Sequence, residues 1–117
     1  MEQLTQKQIN DYLANIKPKF ISTTNGSFND KLKGTQGSLS FYGGMIYYQF
    51  GQGYNDVLHT SLILLIDVDD KGVLTATTLN SVYKWQTNAK PITIEPQGAQ
   101  ARRDEILKFR ASSKEEF

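Results

Sequence analysis

Cysteine is absent from this sequence, histidine occurs once, and proline occurs three times in 117 residues. Without cysteine the chain has no disulfide bond, no thiolate metal ligand and no cysteine nucleophile, a composition typical of a reducing compartment. The longest purely apolar run, Leu62 to Ile66, is much shorter than the roughly 20 residues of a membrane-spanning helix. The residues from Met1 to Lys7 lack the charged and apolar regions of a signal peptide. We therefore expect a cytoplasmic protein that does not enter a membrane.

Charge is scarce in the middle of the chain and nearly balanced over the whole. The net charge is +1, so the molecule as a whole does not attract nucleic acid. Asp56 is the sole formally charged residue from Gly34 to Ile66. Cationic residues flank this neutral stretch on both sides: Lys17, Lys19, Lys31, Lys33, Arg102, Arg103, Lys108 and Arg110. Any recognition of phosphate must therefore depend on local groups.

The length fits one folding unit, because 117 residues lie near the commonest domain size. Hydrophobic residues make up 38% and charged residues 21% of the chain, which is typical of a folded protein rather than a disordered one. We predict a single domain over residues 1–117.

Helix signals occur at both ends. Thr5 and Gln8 have the spacing of a capping box, in which each side chain accepts a hydrogen bond from the other's backbone N–H. Apolar residues then recur with helical spacing at Ile9, Leu13 and Ile16. This pattern predicts a helix from Thr5 to Lys17, ended by Pro18. A second helix is predicted from Gly98 onward, with an apolar face of Ile106, Leu107 and Phe109.

Strand signals fill the region between the helices. Asn25-Gly26 and Gly43-Gly44 have the composition of tight hairpin turns. The continuous apolar segment Leu58 to Val68 predicts a central strand buried on both faces. A turn at Asp69 to Gly72 then predicts its hairpin partner. The predicted strands are Phe20 to Thr24, Ser38 to Tyr42, Met45 to Phe50, Leu58 to Val68, Val73 to Leu79 and Pro91 to Pro96.

The order of elements predicts an α+β fold: a small, curved, mostly antiparallel sheet or barrel of five to six strands, with an N-terminal and a C-terminal helix. Short hairpin links make neighbouring strands antiparallel. So many strands in a short chain favour strong curvature, with the helices covering an open end or edge of the sheet.

No catalytic or metal motif is present. His59 and Ser61 share one face of a strand with Cα atoms about 6 to 7 Å apart, and no nucleophile elbow surrounds the serine. The acidic run from Asp67 to Asp70 resembles a calcium loop, but Lys71 occupies a ligand position and Thr78 stands where a glutamate is required. We predict a protein that is not an enzyme and that uses no metal or other cofactor.

Aromatic residues are concentrated in one segment, since six of the twelve tyrosines and phenylalanines lie between residues 41 and 54. Strand alternation places Tyr48 and Phe50 on one face and Tyr47 on the other. One face must supply core side chains. Outward rings would be free to stack on nucleobases, which stabilises binding by about 1 to 3 kcal/mol per base.

Two functional hypotheses follow. The first is RNA binding, through exposed rings and nearby cations. The residues that we predict for this site are Tyr42, Tyr47, Tyr83, Lys84, Trp85, Lys90, Arg102 and Arg103. The alternative is a protein-interaction or homodimer surface over residues 38–54, because interface cores combine aromatic enrichment with charge depletion. An inhibitor of another protein belongs to this second class.

The length, the absence of cysteine and the element order together resemble one family. Its members are the small cytoplasmic PrgU-type proteins of enterococcal pheromone-responsive conjugative plasmids. The resemblance covers the capped helix at Thr5 to Lys17, the strands over Phe41 to Phe50 and Leu58 to Leu79, and the basic terminal helix. It implies a PUA-like β-barrel, RNA binding, and regulation of plasmid-encoded surface adhesins. No family residue is matched to a position of this chain.

Overall fold

The structure is a computed structural model that describes residues 1–24 and 26–115. In chain order the elements are β1 (Glu2–Leu4), α1 (Gln6–Ala14), β2 (Lys19–Thr23), α2 (Gly26–Leu32), β3 (Ser38–Tyr42), β4 (Met45–Gln49), β5 (Val57–Val68), β6 (Val73–Thr78), β7 (Val82–Gln86), β8 (Ile92–Pro96) and α3 (Ala99–Glu115). The fold is therefore α+β, as the sequence predicts.

The strands form a mostly antiparallel sheet organised around β5. Strands β1, β8, β5, β6, β7 and β2 are neighbours in that order, and β4 joins β5 to β3. The β1–β8 pair is parallel, whereas the other pairs are antiparallel. The ring of Tyr48 on β4 stacks on Phe20 of β2 across the core, so the sheet curls toward itself but stays open. The predicted central role of β5 is confirmed.

Local chemistry sets several of the turns. The capping box is confirmed, because Gln8 N–H donates to the Thr5 hydroxyl at 3.2 Å and Thr5 N–H donates to the Gln8 side chain at 2.9 Å. Gly43 and Gly44 both have positive φ, at 61° and 80°, as a tight two-residue hairpin requires. The Asp69 carboxylate accepts hydrogen bonds from the backbone of the turn that follows it. That acidic run therefore closes a hairpin turn.

Helix α1 protects the free edge of β3. The Asn10 side chain accepts the N–H of Phe41 at 2.8 Å, and the Gln6 side chain accepts the N–H of Gly43 at 2.9 Å. Unpaired edge groups otherwise recruit other strands. Covering of a sheet edge by a helix was predicted and is confirmed here.

The core is built around aromatic rings. Trp85 and Tyr48 are fully buried, and their ring centroids lie 5.6 Å apart. Phe20 contacts both rings. Aliphatic side chains from the inner faces of α1 and the sheet complete the cluster. The inward half of the aromatic segment thus supplies core.

Two predicted boundaries and the predicted number of strands are wrong. Helix α1 ends at Ala14, before Pro18, because Asn15 caps it with its backbone N–H. Helix α2 begins at Gly26, where a hairpin turn was predicted; Asn25 lies outside the described residues. Residues 1–24 and 26–115 contain eight strands rather than the predicted five to six. Strands β1 and β7 were missed, although β7 alternates outward Lys84 with buried neighbours.

Two predicted burial patterns are also wrong. Strand β5 is not buried on both faces, since His59 and Ser61 are exposed on the outer face. Along α3, Ile106 is partly buried, but Leu107 and Phe109 are 42% and 73% exposed. The helix contacts the sheet mainly at β5, so it covers a strip of the outer face instead of filling the core. No helix among the described residues has the length and apolar character to cross a bilayer.

Candidate nucleic-acid interface

The outer side of β3, β4 and the first half of β5 presents a neutral surface, which we call the aromatic face. Strand alternation selects its members, because the neighbouring residues of each strand point into the core. The aromatic face consists of Ser38, Ser40, Tyr42, Met45, Tyr47, Gln49, Val57, His59 and Ser61. None of these residues carries a formal charge at neutral pH with histidine neutral.

The strand register brings two rings together at the centre of this face. Tyr47 lies opposite Ser40 on β3 and opposite His59 on β5. The Tyr47 and His59 ring centroids are 6.1 Å apart and tilted by 40°. Tyr42, on the next outward position of β3, is 70% exposed. The aromatic face therefore offers several planar groups to solvent on adjacent strands.

Cationic side chains border the strands that form this face. The guanidinium of Arg102 on α3 lies against Gly44 in the β3–β4 turn, where an added Cβ would collide with it. At the other end of these strands, Lys31 of α2 lines a small depression with Phe50 and Val57. The structure therefore places Arg102 at the turn end of the strands that carry Tyr42 and Tyr47, and Lys31 at their other end.

The predicted exposure of Tyr83 and Trp85 is wrong. Tyr83 is 8% exposed and Trp85 is fully buried, with their rings stacked at 6.2 Å. Both side chains lie on the inward face of β7. There the Trp85 ring packs against Phe20 of β2 and Tyr48 of β4. Neither ring is available to stack on a base.

The other predicted cations lie elsewhere. Lys84 is exposed on the outer face of β7, opposite Thr75 of β6. Lys90 lies in the β7–β8 loop and borders a groove with Tyr12 of α1 and with Ile16, which follows that helix. Arg103 borders a separate groove beneath α3. The structure therefore separates Arg102 from Arg103, although they are adjacent in sequence.

His59 was assigned no functional role from the sequence. Its membership of the aromatic face depends on the pairing of β4 with β5, which includes a register irregularity between Met45 and Tyr47. The alternation of β5 places His59 on the solvent side and is visible in the sequence. Its contact with Tyr47 is a long-range feature that alternation does not specify.

The acidic side chains and the single histidine are the groups of this chain suited to binding a metal ion. Within residues 1–24 and 26–115 no group of three or more such side chains has an arrangement suited to holding a metal ion.

No family model, no curated protein and no solved structure matches this chain.

Proposed function

We propose that the protein is a non-catalytic RNA-binding domain that holds single-stranded RNA on the aromatic face. The observation that carries this proposal is the outward placement of Tyr47 and His59 on adjacent strands, with rings 6.1 Å apart, beside the exposed Tyr42. Sheet surfaces with outward rings bind splayed bases by stacking, and nearby cations contact the phosphates. Arg102 and Lys31 have suitable positions for the second task.

Such a module has a regulatory role, because a protein that binds RNA without catalysing a reaction acts by occupying its site on the RNA. Control of plasmid-encoded surface adhesins and a PUA-like fold, which the resemblance to PrgU-type proteins implies, remain predictions. RNA recognition by the open sheet and the outward rings requires neither a PUA-like fold nor a role in the control of adhesins.

Ring substitutions test the stacking site. We expect Tyr42→Leu to weaken the binding of single-stranded RNA by about 1 to 3 kcal/mol, roughly 5- to 150-fold, because the base loses its stacking partner. Fluorescence anisotropy measures this with labelled RNA from the native operon and with a pool of short random RNAs. Phe109→Leu is the matched control, since Phe109 is 73% exposed and Tyr42 is 70% exposed.

Two results would contradict the proposal. One is the absence of RNA binding at protein concentrations well above micromolar, with folding confirmed by circular dichroism. The other is an equal loss of affinity in the Tyr42→Leu and Phe109→Leu variants, which would remove the aromatic face as the binding surface. Trp85→Ala is not a usable test, because Trp85 is a core residue.

A second candidate function is protein binding through the same face. The absence of formal charge on the face and the complete exposure of Tyr54 in the adjoining loop favour it, because interface cores are aromatic and poor in charge. Its homodimer version predicts a dimer in size-exclusion chromatography with light scattering. A strictly monomeric result would remove that version.

A further inference from the structure

A groove lies between α3 and the outer face of the sheet, and it adjoins the aromatic face at Ser61. Its volume is about 200 Å³. It adjoins a depression of about 430 Å³ that shares three of the same residues, Leu64, Leu79 and Arg103. The side chains that matter most are Leu62, Leu64 and Leu79 from the sheet side and Arg103, Ile106 and Arg110 from α3.

The composition of the helix face above this groove is unusual. Ala99, Arg103, Ile106 and Arg110 are spaced by four, three and four residues, so they form one stripe along α3. A stripe that faces a sheet is normally apolar. Here two of its four members are arginines, and the sheet leucines beneath are only partly buried. The helix therefore leaves an apolar floor open beside a row of two cationic side chains.

The two arginines have unused hydrogen-bonding capacity. Among the side chains of residues 1–24 and 26–110, which the structure describes, neither guanidinium forms an ion pair or a side-chain hydrogen bond. Glu95 lines the adjoining depression together with Arg103 but does not pair with it. A guanidinium presents five N–H donors and binds carboxylates in a bidentate manner. The groove is thus complementary to an anionic ligand with apolar groups.

The spacing of the cations selects the kind of ligand. Seven residues along a helix correspond to about 10 Å, so Arg103 and Arg110 together fit two anionic groups at that separation. A fatty acid has one carboxylate and meets one arginine. A peptide in the extended polyproline II conformation has three residues per turn and advances about 3.1 Å per residue, so acidic side chains three positions apart lie on one side and reach both arginines. The floor is aliphatic and carries no ring for base stacking, which disfavours RNA here.

We infer that this groove binds an acidic, apolar peptide segment of a protein partner, with carboxylates paired to Arg103 and Arg110 and aliphatic side chains on the leucine floor. The groove and the aromatic face meet at Ser61 but differ in their other lining residues, and the inference does not depend on RNA binding.

Selection from a random peptide library displayed on phage tests this inference with the full chain. We expect enriched peptides to contain two acidic residues about three positions apart, with apolar residues between them. Synthetic versions should bind about tenfold or more weakly to the Arg103→Glu/Arg110→Glu double variant, because two charge-assisted pairs become repulsive. Lys108→Glu is the matched control on α3 and should leave the affinity unchanged.

Several outcomes would overturn the inference. They are no enrichment against the folded chain, enriched peptides without acidic residues, and equal affinity for the wild type and the double variant. Loss of RNA binding in the double variant, without any peptide ligand, would assign the arginines to nucleic acid instead. Folding of each variant is checked by circular dichroism. Because Tyr42→Leu and Phe109→Leu are the RNA test, failure of one proposal is distinguishable from failure of the other.

Discussion

Two tyrosines with buried hydroxyl groups differ in what those groups contact. Tyr48 donates a hydrogen bond to the Thr35 carbonyl at 2.8 Å and also lies 2.8 Å from the Thr35 hydroxyl. The Tyr12 hydroxyl has no hydrogen-bond partner among the described residues. Burial raises the pKa of both tyrosines, and for Tyr48 the hydrogen bonds to Thr35 and to the Phe20 backbone oppose the rise. The Tyr48 hydroxyl therefore has a structural role, whereas the Tyr12 hydroxyl is desolvated without a hydrogen bond to offset the cost.

Removal of each hydroxyl should have opposite effects on stability. Tyr48→Phe should lower the free energy of unfolding by about 0.5 to 1.5 kcal/mol, because it deletes a partly buried hydrogen bond, while the Thr35 carbonyl keeps its bond from the Phe20 N–H. Tyr12→Phe should leave stability unchanged or raise it by up to about 1 kcal/mol. Urea unfolding followed by tryptophan fluorescence measures both. Equal destabilisation by the two substitutions would contradict the assignment of the Tyr48 bond.

At the scale of elements, the entry into β3 depends on a glycine. Gly37 precedes β3, and an added Cβ would collide with the carbonyl oxygen of Gln49 and approach the Tyr48 ring to 3.0 Å. Gln49 is the β4 residue paired with Ser38. The hairpin that carries the aromatic face therefore requires a residue without a side chain at position 37.

Alanine substitutions at two glycines test this requirement. Gly37→Ala should lower the free energy of unfolding by about 1 to 3 kcal/mol, because the new methyl group forces the β3–β4 pair apart. Gly26→Ala is the control, since no atom lies within 4 Å of a Cβ placed there. It should stay within about 0.5 kcal/mol of the wild type or stabilise α2 slightly. A harmless Gly37→Ala would show that the hairpin tolerates displacement at this point.

At the scale of the whole molecule, the small net charge of +1 means that electrostatic attraction must come from a few placed cations. Arg102 and Lys31 border the aromatic face, whereas Arg103 and Arg110 border the groove under α3. The fold thus divides its cations between two surfaces of different chemistry: one with outward rings and one with aliphatic side chains.

This division predicts a shallow salt dependence for RNA binding. Contacts from Arg102 and Lys31 to two phosphates give a slope of the logarithm of affinity against the logarithm of salt concentration near about −1.4. Arg102→Ala should reduce its magnitude by about 0.7, and Lys84→Ala should not change it. Anisotropy titrations over a salt series measure the slope. A slope steeper than about −3 would contradict a site with two cations, and a flat slope would favour the protein-binding alternative.

Local patterns were sufficient for much of the fold. The capping box at Thr5 and Gln8, the hairpin at Gly43 and Gly44, and the long central strand all depend on groups close in sequence, and each is confirmed. Helix α2 was missed, because its short run GSFNDKL has few apolar positions and follows a residue pair typical of turns. Strand β1 was missed because three residues are too few to show an alternation of apolar and polar side chains. Its extended conformation depends on pairing with β8.

The candidate site required the tertiary structure. Alternation in the sequence determined that Tyr83 and Trp85 share a face and that Tyr47 and Tyr48 do not. Which face became core was decided by long-range packing, since the Trp85 ring is buried against Phe20, 65 positions earlier in the chain. The same packing brought His59 beside Tyr47 and sent Arg102 and Arg103 to different surfaces. The sequence by itself determined the periodic and turn-forming elements, because their energies are local, whereas exposure and neighbourhood depend on how distant strands bury their apolar faces together.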